Sequence, residues 1–172
     1  MLLPVCEYCG CQQIAVIGEL TREHDAVVAL ISQIKSSLAG QQLEEVAATC
    51  RRVSSLLVPH TLVEEHGLFP EMTDEFPEHI TVLRSEHREI EATLGEATGG
   101  VPADPTWPDR LLGALTLLRD HILKEQDGVF PAALAALDVD QWERIEAVRT
   151  RATRPERGDQ AVQRIPVEGR FQ

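Results

Sequence analysis

Residues 60–70 read HTLVEEHGLFP and residues 121–131 read HILKEQDGVFP, one pattern repeated at an offset of 61 positions. Each copy sets a histidine four residues before a glutamate, His60 with Glu64 and His121 with Glu125. Residues four apart share a helix face, so each pair presents an imidazole and a carboxylate together. Upstream, Glu23-His24 answers Glu86-His87 at an offset of 63. Each half of the chain thus holds one histidine followed by a His-x-x-x-Glu pair. Four imidazoles and two carboxylates form the mixed nitrogen and oxygen set that iron favours, and a carboxylate has two oxygens with which to bridge two metals.

The elements that must carry these residues are helices. Apolar residues three and four apart trace four seams. The first runs Ile17, Leu20, His24, Val27, Ile31, Ile34, Leu38 and stops at Gly40. The second runs Leu43, Val46, Cys50, Val53, Leu57, His60, Glu64 and is expected to end near Gly67 and Pro70, with Pro59 kinking it just before His60. The third runs Ile80, Leu83, His87, Ile90, Leu94, Ala97 and is closed by Gly99-Gly100. The fourth runs Trp107, Leu111, Ala114, Leu118, His121, Glu125, with Gly128 and Pro131 beyond it. Short connections make consecutive helices antiparallel, which predicts an all-α, up-down-up-down four-helix bundle over residues 14–137. Asp138 or Asp140 can cap a further short helix over 138–152 through Trp142, Ile145 and Val148. From Arg149 onward six Arg stand against Glu156, Asp159 and Glu168, and this stretch, above all the tail 153–172, is expected to be disordered.

All six polar residues fall on the apolar seams and so point into the bundle. Burying two unpaired carboxylates costs several kcal/mol each, and a bound cation offsets that. A metal-free core of His–Glu hydrogen bonds would explain one such pair. It explains poorly two pairs, each with its own upstream seam histidine. His66 and His79 have no histidine counterpart in the other half and read as exposed or capping residues. Glu65 points off the seam, as an acceptor behind the ligands or a solvated side chain. Phe69 and Phe130, each before a proline, read as packing plugs at one bundle end. Cys50 reads as a small buried apolar residue.

The composition narrows the partners. A net charge of −12 argues against nucleic acid and against an anionic membrane surface. No run of about 18 apolar residues is present to span a bilayer. Met1 to Cys6 has no basic start and too short an apolar run for an export signal, so the cytoplasm is the expected compartment. Cys6, Cys9 and Cys11 crowd into an arm over residues 1–13, a spacing that suits a thiolate role in metal binding or redox chemistry as well as it suits a merely disordered arm.

The pattern H…HxxxE…H…HxxxE resembles the hemerythrin family, specifically the HHE cation-binding domains of hemerythrin-like proteins, over roughly residues 14–131. The resemblance implies a four-helix bundle with a non-haem di-iron centre, two iron ions joined by an oxo or hydroxo bridge and by both carboxylates. By position, His24 is the first-helix ligand, His60 and Glu64 the second-helix pair, His87 the third-helix ligand, and His121 and Glu125 the fourth-helix pair. Oxygen-carrying members have a second histidine one turn before the third-helix ligand, where this chain has Leu83; His79 lies a further turn back. The ferritin-like di-iron class needs Glu-x-x-His, and no Glu lies three residues before any of the six histidines.

Three functional readings follow from the resemblance. The first is binding or turnover of O2, peroxide or nitric oxide at an open metal position, with peroxide disproportionation as the candidate reaction. The second is an iron- or oxygen-responsive module that signals to a protein partner. The third is iron–sulfur repair, for which related proteins use a separate N-terminal cysteine domain that is not expected here. With Leu83 in place of a histidine, a centre that exchanges its ligands easily is expected in preference to reversible oxygen storage.

Overall fold

The computed structural model describes residues 14–154. The cysteine arm and the tail beyond residue 154 lie outside them. All regular structure among the described residues is helical. The bundle comprises α1 (Ala15–Ala39), α2 (Leu43–Val63), α4 (Pro77–Gly95) and α5 (Trp107–Lys124). Short helices α3 (Phe69–Met72) and α6 (Phe130–Ala136) prolong α2 and α5, and α7 (Val139–Ala152) follows. α1 and α4 each pack against both α2 and α5, closing a four-helix square. Among the described residues no helix is long and apolar enough to cross a membrane.

The seams end where the turn chemistry requires. α1 stops at Gly40, and Gln41 turns the chain in the left-handed region (φ 54°). After α4 a 3-10 turn, Glu96–Gly99, is closed by Gly100 at φ 118°, a conformation only glycine adopts without strain. Pro77 opens α4 at a position where its missing N–H is no loss.

The second and fourth helices depart from expectation. Neither ends at its Gly and Pro; each continues through a π-turn, Glu64–Leu68 and Glu125–Val129, that begins at the glutamate of the repeat. The Phe69 N–H reaches back five residues to the Glu64 carbonyl, and the Phe130 N–H does the same to Glu125. That shift of register gives a proline a place inside the helix, because Pro70 and Pro131 each stand one residue after it, where the next stretch of α-helix begins. Pro59 is likewise accommodated within α2, which continues to Val63.

Buried apolar residues form two clusters. One holds Val27, Ile31, Ile34, Leu57, Ile90, Trp107 and Leu118 among others. The other holds Ile17, Leu20, Val63, Phe69, Leu83, Phe130 and Ile145 among others. Along α1, α2 and α4 the histidine sits where one cluster gives way to the other: His24 between Leu20 and Val27, His60 between Leu57 and Val63, His87 between Leu83 and Ile90. The six polar seam residues therefore fill a layer sealed above and below by hydrocarbon.

The C-terminal helix is part of this architecture. Asp138 caps α7 through a reciprocal pair of bonds with Gln141, and Ile145 and Val148 are buried. Arg149, counted in sequence with the disordered tail, is instead buried against the bundle. α7 lies on the first π-turn at Gly67, where an added Cβ would stand 3.4 Å from both Ile145 Cγ2 and Val148 Cβ. Gly128, the repeat counterpart of Gly67, has nothing within 4 Å. Gly67→Leu should therefore cost about 1–3 kcal/mol of stability by overpacking. Gly128→Leu should be neutral or slightly stabilising, since Leu gains roughly 0.8 kcal/mol over Gly in a helix. Equal thermal shifts for the two variants would show that α7 does not press on the π-turn.

Candidate metal centre

His24 comes from α1, His60 from α2, His87 from α4 and His121 from α5, while Glu64 and Glu125 open the two π-turns. None of the six is more than 6% exposed. Their donor atoms gather into two groups, His24, His60, Glu64 and Glu125, and Glu64, His87, His121 and Glu125, each with all its atoms within 4.8 Å of one another. Both glutamates belong to both groups. The two halves match closely: the His24 and His60 rings lie 4.6 Å apart, those of His87 and His121 4.5 Å.

The approaches within the groups are close but poorly aligned for hydrogen bonds. Glu64 Oε1 is 3.1 Å from His60 Nε2, and Glu64 Oε2 is 3.4 Å from His87 Nε2. Glu125 Oε1 is 3.0 Å from His121 Nε2, and Glu125 Oε2 is 3.2 Å from His24 Nε2. Yet all four carboxylate oxygens lack an aligned hydrogen-bond donor among the described residues. Four buried oxygens without donors, each beside an imidazole nitrogen, would be costly in a packed core. They converge on shared points instead, as donors around a cation do. The residues present fit a pair of metal ions.

A further layer orients the imidazoles through their other nitrogens. His60 Nδ1 lies 2.8 Å from Glu23 Oε2, His121 Nδ1 2.9 Å from Glu86 Oε2, and His87 Nδ1 2.9 Å from Glu65 Oε1. A carboxylate accepting from Nδ1–H leaves the Nε2 lone pair facing the centre. His24 Nδ1 has no partner among the described residues. Glu23 is itself paired with the buried Arg149, whose Nη1 is 3.1 Å away, and Glu86 with Lys124. Phe130 stacks on His24 (5.6 Å, 7°) and Phe69 on His87 (5.7 Å, 9°). The two phenylalanines are thus more than packing plugs: the π-turns carry them face-on to two of the imidazoles, where they exclude water.

The electrostatics of the metal-free site are those of trapped protons. Burial opposes charge on His60, but Glu64 and the hydrogen bond with Glu23 outweigh it and raise its pKa to about 10. Burial likewise opposes charge on His121, and Glu125 carries it up to about 9. Burial pushes Glu64 and Glu125 upward, and Glu64 adds to that push on Glu125, yet the facing histidines hold both below the usual carboxylate value. Glu23 resists its burial through His60 and Arg149 and falls to about 2.

Other candidates lie elsewhere. His66 is exposed, and so is His79, which packs edge-on against Phe76; neither joins the donor groups. Leu83 is buried and lines an apolar cavity of about 470 Å³ with Met72, Ile80 and Val129, and Lys124 also borders it. Cys50 is fully buried among apolar side chains, and burial pushes its thiol up to about 11, so it stays neutral. The sequence reading missed the roles of Glu23 and Glu86. Their repetition ahead of His24 and His87 was a visible signal, but each serves the histidine of the next helix.

Protonation and metal should therefore substitute for one another. His60 and His121 hold protons more tightly folded than unfolded, where the usual value is 6.5. Their contribution to stability is complete below that value and is lost as pH rises through about 9 and 10. Glu64 and Glu125 contribute above their usual 4.5, and that contribution is lost as pH falls. Metal-free protein should thus melt highest between 4.5 and 6.5 and lose stability toward pH 10, and bound metal should remove the alkaline loss. A metal-free melting temperature that stays level from neutrality to about pH 10 would contradict this.

Compared with known proteins, the chain matches the family described as hemerythrin HHE cation binding domain over residues 15–133. No curated protein and no solved structure matches it significantly. The matched span takes in all six donors and both π-turns and stops before α7. On that match, and with two His/Glu groups at the bundle's centre, the chain belongs to the hemerythrin HHE cation-binding family.

Proposed function

We propose that this chain holds a non-haem di-iron centre and uses it to bind or turn over a small molecule of the O2, peroxide or nitric oxide class. The observation that carries the reading is the pair of buried glutamates whose four oxygens have no aligned hydrogen donor among the described residues and each face an imidazole nitrogen. His24 and His60 would hold one iron, His87 and His121 the other, and Glu64 and Glu125 would serve both. An iron pair supplies Lewis acidity and one-electron steps toward such ligands.

The chain's own residues do the rest. Two imidazoles and two carboxylate oxygens give each metal four protein donors, short of the six that iron commonly takes. Glu23, Glu65 and Glu86 keep three imidazoles in the tautomer that offers Nε2. Phe69 and Phe130 keep water from the imidazole faces. Leu83, one turn before His87 on the same face, offers a hydrocarbon wall where a further ligand would otherwise stand. A site with spare positions and apolar walls suits a small neutral molecule that reacts more than one that is stored.

Protein from iron-replete cells should carry two irons per chain; one zinc and no iron would overturn the reading. Glu64→Ala or Glu125→Ala should lose both metals together, whereas His66→Ala should keep both. Leu83→His should weaken azide binding and slow autoxidation, followed by optical spectra. A long-lived oxygenated form of the parent protein, reversed by nitrogen purging, would exclude the reactive reading in favour of storage.

A further inference from the structure

The repeat that builds the centre is nearly symmetric in its donors and clearly asymmetric behind them. His87 and His121 each have a carboxylate on Nδ1, from Glu65 and Glu86. The cation beside Glu86 is Lys124, an amine 48% exposed to solvent, which screens the pair. Arg84 donates to the Glu65 carbonyl oxygen at 3.2 Å and has no bond to its carboxylate. Of His24 and His60 only His60 has a carboxylate on Nδ1, from Glu23, and that one is bonded by the guanidinium of Arg149, which is only 9% exposed. Arg149 also pairs with Glu19 at 2.7 Å, so α7 clamps two turns of α1. His24 Nδ1 is buried with no acceptor among the described residues. Its place in the repeat explains the difference: the residue 61 positions after Glu65 is Gln126.

A carboxylate on the outer nitrogen of a metal-bound imidazole makes that imidazole more basic and holds its orientation. A cation bonded to the same carboxylate draws that effect back. We propose, resting on the two-metal reading above, that the two positions are inequivalent and fill in order. The His87–His121 position is tight and fills first; the His24–His60 position is weak and adjustable, set by Gln126 in place of an acidic residue and by Arg149 of α7. Arg149 is a positioning residue, acting on the metal only through Glu23 and His60. α7 lies outside the span that matches the family, so Arg149 acts on the bundle from beyond that span.

Cobalt(II), added stepwise to the full-length metal-free protein, tests the order by calorimetry and by its visible absorption. Wild type should take two equivalents in two resolved steps. His24→Ala should remove the weak step and keep the tight one, and His87→Ala should do the reverse. Glu65→Gln should weaken the tight step about 10- to 100-fold, and Gln126→Glu should strengthen the weak step by a similar factor. Both substitutions are near-isosteric, so a folded variant is expected, and its helical circular dichroism before metal addition checks this. The inference is overturned if His87→Ala spares the tight step, or if Glu65→Gln and Gln126→Glu leave both steps unchanged. A single equivalent bound by the wild type would instead overturn the two-metal reading itself.

Discussion

Two carboxylates with no aligned hydrogen donor among the described residues, sunk between two layers of hydrocarbon, set the terms for the rest of this molecule. Glu64 and Glu125 are fully buried, and nothing in the bundle satisfies them except positive charge. In the metal-free chain that charge is protons on the facing histidines, which are bound well above the usual histidine range at His60 and His121. In the proposed loaded state it is a cation pair. Either way the free energy of neutralising the layer is folding free energy, because the two apolar clusters close only when the layer between them is balanced. The outer carboxylates Glu23, Glu65 and Glu86 extend the same logic by turning neutral imidazoles inward.

The π-turns reconcile this layer with helix continuity. An α-helix carried straight past Glu64 would put Pro70 where its ring clashes with an earlier carbonyl. The wider turn moves the ladder by one residue, accommodates the proline and brings Phe69 over the His87 ring; the second copy does the same with Phe130 and His24. A π-turn of this kind is common where function requires a side chain to be re-aimed. Here the aimed phenylalanine is the residue that closes the π-turn which the buried glutamate opens.

What the sequence disclosed follows from what periodicity can carry. The four seams, and the gathering of six polar residues on them, were legible because helix period and burial are local properties. Helix ends at Gly67 and Pro70 were misread because glycine and proline usually break helices, and only the register shift at Glu64 lets this one continue. Glu23 illustrates a second limit. It stands next to His24 but serves His60, and no spacing within one helix encodes a partner on the next. Arg149 illustrates a third: the basic, proline-bearing stretch that it opens reads as tail, and only the packing of Ile145 and Val148 on Gly67 brings it to Glu23.

The repeat also separates geometry from electronics. Across the two halves the facing distances are 3.1 against 3.0 Å and 3.2 against 3.4 Å, so the donors present nearly the same shape to both positions. Any chemical difference between the positions must then come from charge placed behind the donors. That is where the two halves diverge, in Gln126 against Glu65 and in a buried guanidinium against an exposed ammonium. Variation in this outer layer changes how strongly an imidazole donates without moving it. A duplicated helix pair can in this way keep one bundle and one donor set while giving its two halves different work, and a helix added outside the duplicated unit can act on one half alone.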